Sequence, residues 1–260
     1  MSRGGAYLTK TMFVAAQAFQ DLLRERILYN IFFVSLFLLF FGYLAALLVY
    51  GHQDRVMLHF GIMINALSVY LVAGGAGARL LRSEVEQRVA YLPLSRPVSR
   101  VSYFFGKWLG ILWFCAVNLL LLTMVLWIAL RVTGGGVNEA LIQATLLIWV
   151  ESWVVSATAM LVSLFFRQGL SVMVCMAYLF LSHNHDQLDF LKNQAGEGSP
   201  VFSLLKQLTP NGQVLLMDTR VYYDVALGGF ELIQRMGYGL AWALLFMLIG
   251  NAVFYRKNLW

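Results

Sequence analysis

The sequence predicts an all-α membrane protein: six transmembrane helices preceded by an N-terminal amphipathic helix. Three observations carry this. Sixty per cent of the 260 residues are apolar, only 12% are charged and mean hydropathy is +0.71, well away from ordinary soluble domains. Apolar runs recur at the length needed to cross hydrocarbon about 30 Å thick, roughly 20 residues at ~1.5 Å each. The basic residues collect on alternate sides of those runs, as the positive-inside rule requires.

Residues 1–27 form the first element. Met12, Phe13, Ala16, Phe19, Leu22, Leu23 and Ile27 recur at helical spacing, with Lys10, Gln17, Gln20, Asp21, Arg24 and Glu25 between them. An amphipathic helix lying in the membrane interface fits this pattern; a soluble helix continuing into the first span is the alternative. The run that follows is too long for the apolar core of a signal peptide and reads as an uncleaved first helix.

Residues 28–260 read as a single transmembrane domain. Five runs are long enough to span: Leu28–Tyr50, Val56–Leu81, Phe104–Leu130, Ala140–Phe166 and Gly237–Tyr255. A sixth, Gly169–Ser182, would rise only about 21 Å as a helix, so it is either a short crossing or a re-entrant segment. Counting it places both termini on one side. Thirteen of the nineteen basic residues, from Arg3 to Lys257, then lie on the inner side. The outer segments hold six basic and eight acidic residues, so orientation alone accounts for the net charge of +6, and nothing calls for nucleic acid. The expected location is the cell (inner, cytoplasmic) membrane, with both termini cytoplasmic.

Small residues punctuate the spans. Ala73-Gly74-Gly75-Ala76-Gly77-Ala78, and Gly106 with Gly110, would let neighbouring helices approach closely. The connection Arg131–Glu139 is short and Gly-rich, so the third and fourth spans should be antiparallel neighbours. Residues 183–236 form the long outer segment, with semi-apolar pieces at Val201–Leu208 and Val214–Met217 suited to short helices dipping into the membrane. Cys115 and Cys175 both fall within spans, which supports neither a disulfide framework nor a thiolate metal site.

The inner loop 82–103 carries the most distinctive sequence. Ser83 with Glu86 three residues on is a capping-box pattern, which predicts a short helix starting there and ending before Pro93. Pro93 and Pro97 break the chain, and Ser99 or Ser102 would begin the next helix. As plain physics this is equally a solvated loop obeying charge orientation. The arrangement Glu-x-Glu-x-x-x-x-x-Leu-Pro-Leu-Ser-Arg-Pro-Val-Ser-Arg from Glu84 to Arg100, followed by Gly106-Lys107, resembles the permeases of type-2 ABC transporters, above all the subgroup associated with multicopper enzyme maturation.

That resemblance implies that the N-terminal helix is a cytoplasmic elbow and that the loop holds a cytoplasmic coupling helix seated in a cleft of a separate ATPase subunit. Glu84, Glu86, Arg88, Leu92 and Arg96 would make the contacts. It further implies two ATPase copies carrying ATP and Mg, a second permease copy, re-entrant helices between spans five and six, and room for a periplasmic partner beside the surrounding lipid. The chain has no nucleotide site of its own. A phosphate-binding loop needs Gly-x-x-x-x-Gly-Lys-Ser/Thr, but Gly106-Lys107 is followed by Trp108 and position 101 is Val. The resemblance thus implies a transporter subunit that binds no cofactor itself, rather than an enzyme.

Glu151 is the strongest candidate within the membrane, because a carboxylate near mid-span costs a few kcal/mol unless protonated, paired or hydrated. Asn65 and Asn118 are its candidate polar neighbours. His183, His185 and Asp186 just beyond the fifth span could bind copper or zinc, but two histidines and one acid in a loop are an incomplete set, and a solvated loop is the stronger reading. An intramembrane enzyme lacks its signatures: no Gly-x-Ser-x-Gly or His-Glu-x-x-His occurs, and the one span histidine, His59, sits near an outer end. A non-transporting scaffold driven by an ATPase would use the same inner loop.

Overall fold

The computed structural model describes residues 3–49, 51–86, 99–136, 138–187, 190, 206–223 and 225–256. Among them every regular element is helical: α1 (Arg3–Leu23), α2 (Arg26–Leu47), α3 (Gln53–Glu86), α4 (Arg100–Val132), α5 (Glu139–Ser163), α6 (Gln168–His183), a 3₁₀ turn (Gly212–Val214), α7 (Asp218–Tyr222) and α8 (Gly229–Arg256). This follows from the composition. A segment bathed in lipid finds no water for its backbone N–H and C=O groups, and a helix satisfies all of them internally.

Five helices, α2, α3, α4, α5 and α8, are long and apolar enough to cross a membrane; α6 is apolar but has 16 residues. The chain is thus a multi-pass membrane protein. The end of the bundle bearing Glu86 and Arg100 is termed proximal below, and the opposite end distal.

Local chemistry sets the breaks between helices. α1 closes with Arg24 N–H donating to Asp21 O and Glu25 N–H to Leu22 O, and the extended Glu25 then starts α2. Glu25 also pairs with Arg79 of α3 at 2.8 Å, fastening this elbow to the proximal end of the bundle. At the far end of α4, Gly134 adopts φ +82°, a left-handed conformation that costs glycine nothing, and Gly135 N–H closes back on Leu130 O. Ser99 caps α4, its Oγ accepting from Ser102 N–H at 3.1 Å, as the loop's serines suggest.

Interhelical contacts give the directions. Trp108 donates to Ser156 Oγ and Trp149 to Leu112 O, so residue numbers fall on α5 as they rise on α4, the antiparallel neighbours expected from the short connection. Asn65 donates to Thr123 Oγ1 and Ser68 to Asn118 Oδ1, which makes α3 and α4 antiparallel as well. Gly239 packs on Val150 and Gly250 on Leu161, so α8 runs parallel to α5.

The small residues lie where helices touch. A Cβ on Gly77 would stand 2.8 Å from Ala159 Cβ and 2.9 Å from Ser156 O of α5; one on Gly74 would stand 2.8 Å from Met176 Cε of α6. Gly106 and Gly110 serve α1 instead. A Cβ on Gly110 would meet Ala15 O at 2.7 Å and Ala18 Cβ at 2.6 Å, so α1 lies directly against the proximal half of α4. Beside this seam Lys107 is 3% exposed, with Asp21 3.7 Å away and the Tyr103 ring 5.7 Å away.

The docking face of α1 is defined by its packing, and two expectations are corrected. The buried face of α1 is Val14, Ala15, Ala18 and Leu22, while Met12 and Phe13 point away from the bundle, 49% and 66% exposed. Short side chains make the seam because close approach, not bulk, is what α4 demands. No helix starts at Ser83: α3 continues unbroken to Glu86, since a capping pattern inside a helix already under way has no orphan N–H groups to satisfy. The last long helix begins at Gly229, ahead of the expected Gly237, because Glu231 is held by Arg235 one turn on and by Arg220 of α7.

Gly110→Leu should push α1 off α4 at a cost of about 1–3 kcal/mol, the usual range for overpacking a close contact. The expected readout is faster tryptic cleavage at the exposed Arg24 in detergent. Cleavage at the native rate would show that this seam does not hold α1.

Candidate functional site

Glu151 lies on the buried face of α5 and is 3% exposed. Two other helices bring polar groups to it. The Tyr70 hydroxyl of α3 donates to Glu151 Oε2, and His183, the last residue of α6, places Nε2 3.1 Å from Glu151 Oε1. The Tyr70 and His183 rings stand 5.9 Å apart, and His183 Nδ1 lies 3.1 Å from Leu179 O.

The glycine seam explains why these groups meet. Tyr70 precedes Gly74 by four residues and Gly77 by seven, so all three share a stripe of α3. The same close approach to α5 and α6 that the glycines permit carries Tyr70 onto Glu151. On the other side of the carboxyl, Thr158, Tyr178, Ser182 and Tyr238 help line a space of about 10 Å³ for the centre of a water molecule, room for roughly one.

The distal side is covered by a strap, residues 206–217. Ser182 Oγ donates to Pro210 O at 2.7 Å, His185 Nε2 lies 3.0 Å from Thr209 Oγ1, and Gln213 Nε2 donates to His183 O and Asp186 Oδ2. Tyr178 donates to Leu208 O from α6, and from α8 Tyr238 accepts from Asn211 N–H while Arg235 donates to Val214 O. Gly212 sits against the imidazole: a Cβ there would lie 2.9 Å from His183 Cε1 and Nδ1. Leu215 and Met217 are buried, so the piece Val214–Met217 enters the bundle as its apolar character suggests.

The expected site residues distribute differently from their sequence grouping. Glu151 is buried at a meeting of helices, but Asn65 and Asn118 are not its partners; they bond Thr123 and Ser68 along the α3–α4 seam. Helix rotation decides this, since positions 65 and 68 face α4 and position 70 faces α5. His183, His185 and Asp186 do not converge: the first faces Glu151, the second Thr209, the third Gln213. No cluster of three or more metal-ligating side chains occurs among the described residues. Arg88, Leu92 and Arg96 lie outside the described residues; Glu84 and Glu86 lie in the last turn of α3. Cys115 and Cys175 are buried free thiols. Tyr70 is the residue the sequence reading missed, and its spacing to the glycine patch was the available signal.

Removing the carboxyl in Glu151→Ala would leave Tyr70 and His183 facing a cavity. A loss of about 3 kcal/mol is expected, as for removing one partner of a buried pair. The isosteric Glu151→Gln, which keeps an acceptor for Tyr70, should lose less than half of that. Thermal unfolding of the two variants in one detergent checks the order; equal losses would show that packing volume rather than polar pairing holds the site.

No protein-family model matches the chain, and no curated protein is significantly similar to it.

Proposed function

We propose that this chain is the transmembrane permease subunit of an ABC transport system, in which a separate ATPase subunit drives movement of a substrate across the inner membrane. The observation that carries the reading is the unbroken α3. It is one helix from Gln53 to Glu86, and α4 starts at Arg100. The Glu84–Arg100 sequence that resembles an ATPase-docking segment therefore hangs from two long helices. From Glu86 back to Tyr70 is 16 residues, about 24 Å of continuous helix leading to Glu151. Force applied at the segment would reach the centre of the bundle along a rigid element.

The six-span count belongs to this reading. α5 and α8 run in the same direction, so the chain must return between them, and α6, about 24 Å long, makes that return from the proximal toward the distal face. With the proximal face inside, both termini and most basic residues are cytoplasmic, and the strap takes the place of re-entrant elements before the last span. The space at Glu151 holds roughly one water, so cargo would pass between two copies of the chain, which favours a homodimer with two ATPase partners. Support of envelope metalloenzyme maturation is the cargo-side role that the resemblance suggests.

The test is affinity purification of the tagged chain in mild detergent from its native host, with mass spectrometry and an ATP hydrolysis assay. A stoichiometric partner bearing a phosphate-binding loop, with vanadate-sensitive hydrolysis, is expected. The double variant Glu84→Lys/Glu86→Lys should reduce recovery of that partner at least tenfold while membrane insertion stays normal. Unchanged recovery and transport would remove the loop from the mechanism, and repeated isolation of a stable chain without any ATPase would overturn the reading.

A further inference from the structure

We propose that Glu151 and His183 form a proton-binding site, reached from the distal face, whose occupancy holds the strap over residues 206–217 in place. The proposal rests on hydrogen-bond arithmetic within this chain and does not depend on an ATPase partner.

Leu179 O has only lone pairs to offer, so the His183 Nδ1 that faces it at 3.1 Å carries a hydrogen. A neutral imidazole has one N–H, and with Nδ1 protonated its Nε2 bears a lone pair. That nitrogen stands 3.1 Å from Glu151 Oε1. A bare nitrogen and a carboxylate oxygen repel at this separation; a single proton on either converts repulsion into attraction. Tyr70 cannot supply it, because its hydroxyl is committed to Oε2. The pair as built therefore holds one titratable proton, as imidazolium against carboxylate or as carboxylic acid against imidazole. The position of His183 in the last turn of α6 favours the first form through the helix dipole.

Among the described residues, ionisable groups from several elements surround the pair. α3 contributes Tyr70, α6 contributes Tyr178 and Cys175, α8 contributes Tyr238, and Cys115 of α4 packs against Ser152. The strap between Thr209 and Leu215 has no ionisable side chain, and Arg235 of α8 is engaged with Glu231 and Val214 O. On the distal side Gln213 bridges His183 O and Asp186, and His185 Nε2 faces Thr209 Oγ1.

His183 also supplies the route and the latch. Its side chain is 21% exposed against 4% for Glu151, so a proton passes between distal water and the carboxyl by way of the imidazole. Gly212 rests on that ring, and Ser182 and His183 O hold Pro210 and Gln213 on either side of it. Loss of the proton leaves two like-charged lone pairs in opposition, drives the ring from Glu151 and removes the floor beneath Gly212. The strap is thus seated when the proton is bound and released when it leaves, which opens Glu151 to the distal face.

Pulsed electron paramagnetic resonance on the full chain in lipid nanodiscs tests this, with spin labels at Leu208→Cys on the strap and Ile233→Cys on α8, both positions being exposed and both native thiols buried. Raising the pH from about 5 to about 9 should lengthen the distance in a one-proton transition. Glu151→Gln can donate its amide N–H to Nε2 at every pH, so it should keep the acid distance throughout. His183→Gln, which donates to the carboxylate without titrating, should also be independent of pH. Infrared titration of the unlabelled chain should show over the same range a carboxyl band that Glu151→Gln lacks or an imidazole band that His183→Gln lacks. A distance that does not change with pH, a pH response retained in either variant, or an infrared change unaffected by both would overturn the proposal.

Discussion

An ionisable carboxyl in the interior of an apolar bundle is the constraint around which this protein is arranged. Glu151 can be buried only where other polar groups reach it, and no single neighbouring helix supplies them all. Tyr70 comes from α3 and His183 from the end of α6, so three helices must meet in one register. The strap follows from the same need. Without it the polar end of α6 would open directly onto the carboxyl, and its contacts to Ser182, His183 and Tyr238 close the distal side.

The bundle that surrounds this centre is assembled by close approach rather than by hydrophobic exclusion, since lipid is as apolar as leucine. Glycines at 74, 77, 106, 110 and 239 sit where facing backbones or side chains leave no room for a Cβ. Between them run single polar pairs, Asn65 with Thr123, Ser68 with Asn118 and Trp108 with Ser156, each worth roughly 0.6 kcal/mol in a membrane setting. Their energy is small, but they fix helix rotation, because a polar group turned toward lipid would lose its partner altogether. The outward faces differ. The row Phe33, Phe37, Phe40 and Phe41 on α2 remains exposed and meets hydrocarbon without cost.

The two ends of the bundle are held together differently. At the proximal end α1 is clamped to α4 by glycines and to α3 through the Glu25–Arg79 pair, so α1, α3 and α4 form one stiff unit around the segment proposed to meet an ATPase. At the distal end the contacts are short side chain to backbone bonds from a few residues of α6 and α8 to a strap with little regular structure. Stiff elements transmit displacement along their length. Tyr70 lies on the helix that connects the two.

Much of the architecture was legible from composition and spacing. Apolar length located the five long apolar helices found among the described residues, because crossing hydrocarbon imposes a minimum run and forbids interruption, and the small-residue patches marked the seams before their partners were known. Glu151 stood out for the same reason: charge within a span is expensive and therefore visible. What the one-dimensional pattern does not carry is rotation and pairing. It offered Asn65 and Asn118 as partners for Glu151, whereas Tyr70 and His183 hold it, because residues five apart on α3 face different helices and because His183 arrives from a helix more than 30 residues further along the chain. The face of α1 that docks was missed because its side chains are small, and smallness registers as weak hydrophobicity although it is what permits contact. Sequence by itself determined that the chain must be helical, membrane-embedded and charged in its interior at one position; only the packing of α3, α5 and α6 decided which groups share that charge, since proximity between distant segments is a property of the assembled bundle.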